Sequence, residues 1–149
     1  MKSDPFLRRV VWVFVGALAV YIFAYTAIEH QRTRQGPWQL AFTNDANGSA
    51  VLLINQPRLA LTNVQIAFPG AAWATFTNTP DPDMFTQPRP TPFAVPFGRC
   101  VFLDLTSLPG TIVLELFGHE IQLLPRVLTI DRVEKPWQSN EAMSLPPQP

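Results

Sequence analysis

A chain of 149 residues with eleven basic and eleven acidic side chains has no net charge at pH 7, and its single cysteine, Cys100, excludes an internal disulfide. The balance hides an asymmetry, since residues 1–35 hold five Lys/Arg and two Asp/Glu while residues 36–149 hold six and nine. The larger part is therefore mildly acidic, has no electrostatic footprint for nucleic acid, and is the size of one ordinary domain.

A short basic segment, residues 1–9, carries Lys2, Arg8 and Arg9. Val10 to Ile28 then runs nineteen residues without a charge, VVWVFVGALAVYIFAYTAI. At a rise of about 1.5 Å per residue the run makes a helix of about 28 Å, against a hydrocarbon core of about 30 Å, which predicts one transmembrane span. A cleaved signal peptide has a shorter apolar core and a small-residue cleavage site, and Ala24-Tyr25-Thr26 is a poor one. The reading is a retained anchor with Trp12, Phe14, Tyr21, Phe23 and Tyr25 as its bulky residues, the tryptophan and tyrosines near the two interfaces. Lys2, Arg8 and Arg9 before the span outnumber Arg32 and Arg34 after it. That favours a cytoplasmic N-terminus and an extracytoplasmic remainder, periplasmic or extracellular. Ala17, Ala24 and Ala27 share a face with Gly16 close by, which would let the spans of two copies pair, and the alternative is ordinary lipid-facing residues.

Residues 29–36 read as a short linker and residues 37–132 as an all-β domain. Trp38, Leu40 and Phe42 alternate with Gln39, Ala41 and Thr43, and Val64, Ile66 and Phe68 alternate with Asn63, Gln65 and Ala67. Ala50 to Ile54 is apolar throughout, as a strand covered on both faces would be. Asn44 to Gly48 supplies the turn between the first two strands. Cys100–Leu105 leads to Leu108-Pro109-Gly110-Thr111, which fits a type II turn. Thr111 to Leu124 reads as a hairpin with Gly118 and His119 as the central residues of a type II′ turn, pairing Leu116 with Ile121 and Leu114 with Leu123. That register puts Ile112, Leu114, Leu116, Ile121 and Leu123 on one face. With Val127–Asp131 the count is seven or eight strands, and the expected architecture is an immunoglobulin-like or related antiparallel β-sandwich.

Six prolines fall between Pro80 and Pro96, inside a proline-rich loop over residues 77–98. Proline cannot donate to a sheet ladder, so the stretch is no central strand. It is also too apolar to stay free, and Phe85, Arg89, Pro90, Pro92 and Phe93 make it the candidate surface for a partner. The alternative is that the prolines only stiffen a connection and blunt a sheet edge. The tail, residues 133–149, is polar and rich in proline, with Trp137 expected to dock back on the domain.

The chemistry-bearing residues do not assemble into a motif. His119-Glu120 would need a second histidine where Leu123 stands, and His30 lies at the membrane edge. Cys100 falls within a strand and reads as buried and inert. Asp45-Ala46-Asn47-Gly48 departs from a calcium loop in its glycine position, Asp81 and Asp83 read as solvated loop charges, and Asn47-Gly48-Ser49 is a sequon that matters only in a eukaryotic secretory host. No cofactor, metal or catalytic set is expected. The leading reading is a non-catalytic accessory, assembly or structural subunit held beside an integral membrane partner. The second is a small-ligand or glycan-binding module that stacks its ligand on Trp38, Trp73 or Trp137.

Overall fold

A computed structural model describes residues 5–72 and 85–149. Lys2, Trp73, Pro80, Asp81, Pro82 and Asp83 lie outside the described residues, so the expectations attached to them are not addressed. The chain divides into two compact units, Met1–Arg34 and Gln35–Pro149.

The first unit is the helix α1, Pro5–Gln35, whose stretch Pro5–Gln31 is long and apolar enough to cross a membrane. It is longer than the uncharged run because helix formation does not stop where apolarity stops. Pro5 is tolerated in a first turn, and Glu29, His30 and Gln31 contain no breaker. The linker expected over residues 29–36 is therefore mostly helical, and Gly36-Pro37 ends it. Trp12, Phe14, Tyr21, Phe23 and Tyr25 are all exposed on this helix, with Tyr21 and Tyr25 stacked one turn apart at 6.4 Å.

Among its described residues the second unit holds ten strands, where seven or eight were expected. They are β1 Gln39–Asn44, β2 Ser49–Gln56, β3 Leu61–Ala72, β4 Phe93–Val95, β5 Gly98–Asp104, β6 Thr111–Leu116, β7 His119–Leu123, β8 Val127–Ile130, β9 Val133–Pro136 and β10 Ala142–Ser144. One sheet has the order β1-β2-β3-β10 and the other runs consecutively from β4 to β9. Every pairing is antiparallel except β10 with β3. Alternation along the strands buries one face of each sheet, and both faces contribute to one core: Trp38, Leu52, Ile66 and Phe68 from the first sheet meet Leu114, Leu116, Ile121 and Leu128 from the second. In β2, Ala50, Val51 and Leu52 are all buried, which accounts for its unbroken apolar run.

Three departures from the sequence reading bear on function. The β6–β7 turn is centred on Phe117 and Gly118, both with positive φ (49° and 84°), so it has type I′ geometry and Leu116 pairs with His119. Moving the turn by one residue changes each cross-strand partner by two, so every side chain keeps its face. Ile112, Leu114, Leu116, Ile121 and Leu123 remain fully buried, and His119 joins their side of the sheet. Gly110 has no positive φ, so the expected type II turn is not formed there. The tail is not a loose end: β9 returns through Asp131 and Arg132, both with positive φ, and β10 adds to β3 with Met143 buried.

Candidate functional site

Of the five residues offered as a partner surface, the described part of the proline-rich stretch keeps three outside. Phe85 is a correction. Its ring is 1 % exposed and belongs to the core, 6.4 Å from Phe93, so it pins the segment instead of meeting a partner. Phe93 is half-buried at the head of β4, and the Arg89 guanidinium lies 5.6 Å above its ring as a cation–π contact. Arg89, Pro90 and Pro92 are exposed. β4 contributes only three pairs to β5, from Phe93↔Cys100 to Val95↔Gly98. The result is a short, proline-flanked sheet edge with one exposed cation over an aromatic ring.

His119 occupies a different setting from the turn tip that the sequence suggested. Its side chain is 4 % exposed, Nδ1 lies 2.6 Å from Asp131 Oδ2, and Nε2 lies 2.8 Å from the Pro146 carbonyl oxygen. Asp131 is fixed in turn by the Glu120 N–H, which donates to Oδ1 at 3.0 Å. Burial works against charge on the imidazole, but the Pro146 carbonyl and the Asp131 carboxylate outweigh it and hold the imidazolium above its ordinary 6.5. Burial also opposes charge on Asp131, yet the His119 hydrogen bond and the Glu120 N–H keep its carboxyl below the ordinary 3.8. The stabilisation from His119 is therefore full below 6.5 and is lost as pH rises through the raised value. That from Asp131 is full above 3.8 and is lost as pH falls through the lowered value. The sequence did carry a signal for this site, because 119, 121 and 123 share parity and a histidine in that series faces inward.

Beside this pair an open groove of about 550 Å³ runs between Gly98, Arg99 and Glu115 on one side and Phe117, His119 and Glu120 on the other. Arg99 and Glu115 close on each other as an ion pair between β5 and β6, exposed and so worth little in stability. Among the described residues no three His, Cys, Asp or Glu side chains gather as a metal site. Cys100 is fully buried on β5, and burial pushes its thiol from 9.0 up to about 11, against a smaller opposing effect of the Phe102 backbone. The thiolate is the reactive form. Alkylation at about pH 8 is therefore expected to be roughly a hundredfold slower in the folded chain than in denaturant, as timed labelling with iodoacetamide would read. Equal rates in the two states would contradict the burial.

Of the two described tryptophans named as a stacking platform, Trp38 is buried and Trp137 half-buried. Trp38 is 1 % exposed and donates its indole N–H to the Gly110 carbonyl at 2.6 Å. Trp137 lies against it with ring centroids 5.2 Å apart and donates to the Leu124 carbonyl at 2.8 Å. The fold and the site define a class: an all-β domain of two antiparallel-rich sheets that follows a helix apolar enough to span a membrane. No family model, curated protein or solved structure matches the chain.

Proposed function

We propose that this chain is a single-pass membrane protein, N-terminus cytoplasmic, whose extracytoplasmic β-domain is a non-catalytic accessory, assembly or structural subunit of a membrane-associated complex. The observation that carries the reading is a helix whose stretch Pro5–Gln31 is long and apolar enough to cross a membrane, followed within a few residues by a β-domain. Only residues 29–38, mostly helical, stand between the uncharged run and β1, which supports a domain that works close to the bilayer, where the partner within easiest reach is another integral membrane protein. We read the domain as a β-sandwich related to the immunoglobulin class, with the consecutive β4–β9 order as its departure from a Greek key. The chemistry of the side chains supports a non-catalytic role, since the Cys100 thiol stays protonated at neutral pH and both His119 nitrogens are engaged. The exposed Arg89, Pro90 and Pro92 are the surface we assign to the partner.

The test is site-specific photo-crosslinking in intact membranes. A crosslinker at Pro90 is expected to trap one integral membrane protein in stoichiometric yield, whereas one at Glu134 on β9 should trap none. A chain that leaves the membrane in mild detergent as a monomer, with no crosslink from either position, would remove the accessory-subunit reading. Protease added outside sealed cells should digest the β-domain and spare α1, and the converse would reverse the orientation.

A further inference from the structure

The last residues of the chain cross from one sheet to the other. Leu145 donates its N–H to the Ala67 carbonyl on β3 at 2.8 Å, and Gln148 donates to the Phe117 carbonyl at the β6–β7 turn at 3.0 Å. Gly118 lies directly beneath, where a Cβ would come within 2.9 Å of Gln148 Cβ. Between the two attachments stand Pro146 and Pro147, which have no N–H to offer. The contact at the middle of this strap is the Pro146 carbonyl on His119 Nε2.

That contact depends on a proton. The Asp131 carboxylate on Nδ1 and the Pro146 carbonyl on Nε2 are both acceptors, so both bonds form together only when both ring nitrogens carry hydrogen. A neutral imidazole has one proton, and the charged acceptor, Asp131, keeps it. The Nε2 lone pair would then face the Pro146 carbonyl oxygen, and the strap would lose its central bond.

We propose that residues 145–148 form a pH-gated strap, held across the two sheets by protonated His119 and released from the Phe117 turn when that proton leaves. The groups around His119 set where this happens. Asp131 from the β8–β9 turn favours the cation, Arg99, Glu115 and Glu120 line the groove beside it with Arg99 paired to Glu115, and Phe68 from β3 brings an uncharged ring to 6.4 Å. The Gln148 amide lies 3.4 Å from Nδ1, at the outer limit of a hydrogen bond. Release frees the carbonyl of Phe117, whose ring stays packed on Phe68 at 5.0 Å and on Phe97 at 5.6 Å.

Amide exchange on the full chain in detergent micelles or nanodiscs tests the proposal, with rates corrected for intrinsic pH dependence. Protection of the Leu145 and Gln148 amides is expected to fall roughly tenfold between about pH 5.5 and about pH 8.5, with β6–β7 amides unchanged. His119→Gln should leave both amides weakly protected at every pH. Asp131→Asn should move the release to lower pH, a shift that a merely structural contact would not give. The ¹⁵N shifts of the His119 ring should show two N–H groups while the strap is closed. Constant protection across the pH range, or a closed strap over a singly protonated ring, would overturn the proposal. The ring measurement needs only the unaltered chain, so it decides the matter even if His119→Gln does not fold.

Discussion

Replacing Trp38 by alanine is expected to destabilise the β-domain by about 3–5 kcal/mol, the range for emptying a buried aromatic site. The indole stands just before β1, is 1 % exposed, and packs on Trp137, which follows β9 in the other sheet. Its N–H answers the carbonyl of Gly110, ahead of β6. Removal therefore opens a cavity and leaves a buried carbonyl without its donor, two penalties that add because they concern different groups. For a domain of this size the midpoint of thermal unfolding should fall on the order of 15 °C, measured by near-ultraviolet circular dichroism on the full chain in detergent. Trp38→Phe keeps most of the ring and loses the hydrogen bond, so it should cost about 1–3 kcal/mol. A midpoint for Trp38→Ala unchanged from the parent would show that the two-tryptophan clasp does not hold the sheets together.

The strands that form the clasp and core were legible because side chains on a strand alternate with period two. Leu40 and Phe42, Val64 to Phe68, and Ile112 to Leu116 advertise their buried faces through that alternation. The period says nothing about where a turn is centred, which is why the β6–β7 register differs while the faces do not. His119 was masked by the same ambiguity, since an exposed turn histidine and a buried strand histidine are one residue apart in the pairing. β4 was hidden by Pro92 and Pro96 on either side, although a three-residue edge strand tolerates both. β9 and β10 are short and expose most of their residues, Val133 among them, and they form on docking sites offered by β8 and β3 that local composition does not describe. Phe85 illustrates the opposite error. An aromatic in a proline-rich stretch looks like an offered contact until the fold supplies a core for it.

The candidate partner surface was partly legible for a physical reason. Arg89, Pro90 and Pro92 are residues whose exposure follows from composition, because a cation and two prolines gain little from burial. What no local rule supplies is the Arg89 contact with the Phe93 ring.

Gly110→Ala is expected to be the other severe substitution, at about 3 kcal/mol or more. A Cβ at this position would be driven into the backbone carbonyl of Asp104, and backbone cannot rotate away as a side-chain end can. Asp104 is held on both sides, pairing with Thr111 across β5–β6 and accepting the Thr106 N–H at 2.8 Å and its hydroxyl at 2.7 Å through Oδ1. Relief must come from moving Gly110 itself, and that displaces the carbonyl to which Trp38 donates. The two sites are therefore coupled. In denaturant unfolding at fixed pH, Trp38→Phe together with Gly110→Ala should destabilise by about 1 kcal/mol less than the sum of the single changes, because the hydrogen bond can be lost only once. Gly16→Ala provides the contrast, since an added Cβ there meets nothing within 4 Å and the domain should unfold as the parent does. Strict additivity in the cycle would place the effect of Gly110 in the β5–β6 connection alone and leave the Trp38 clasp independent of it.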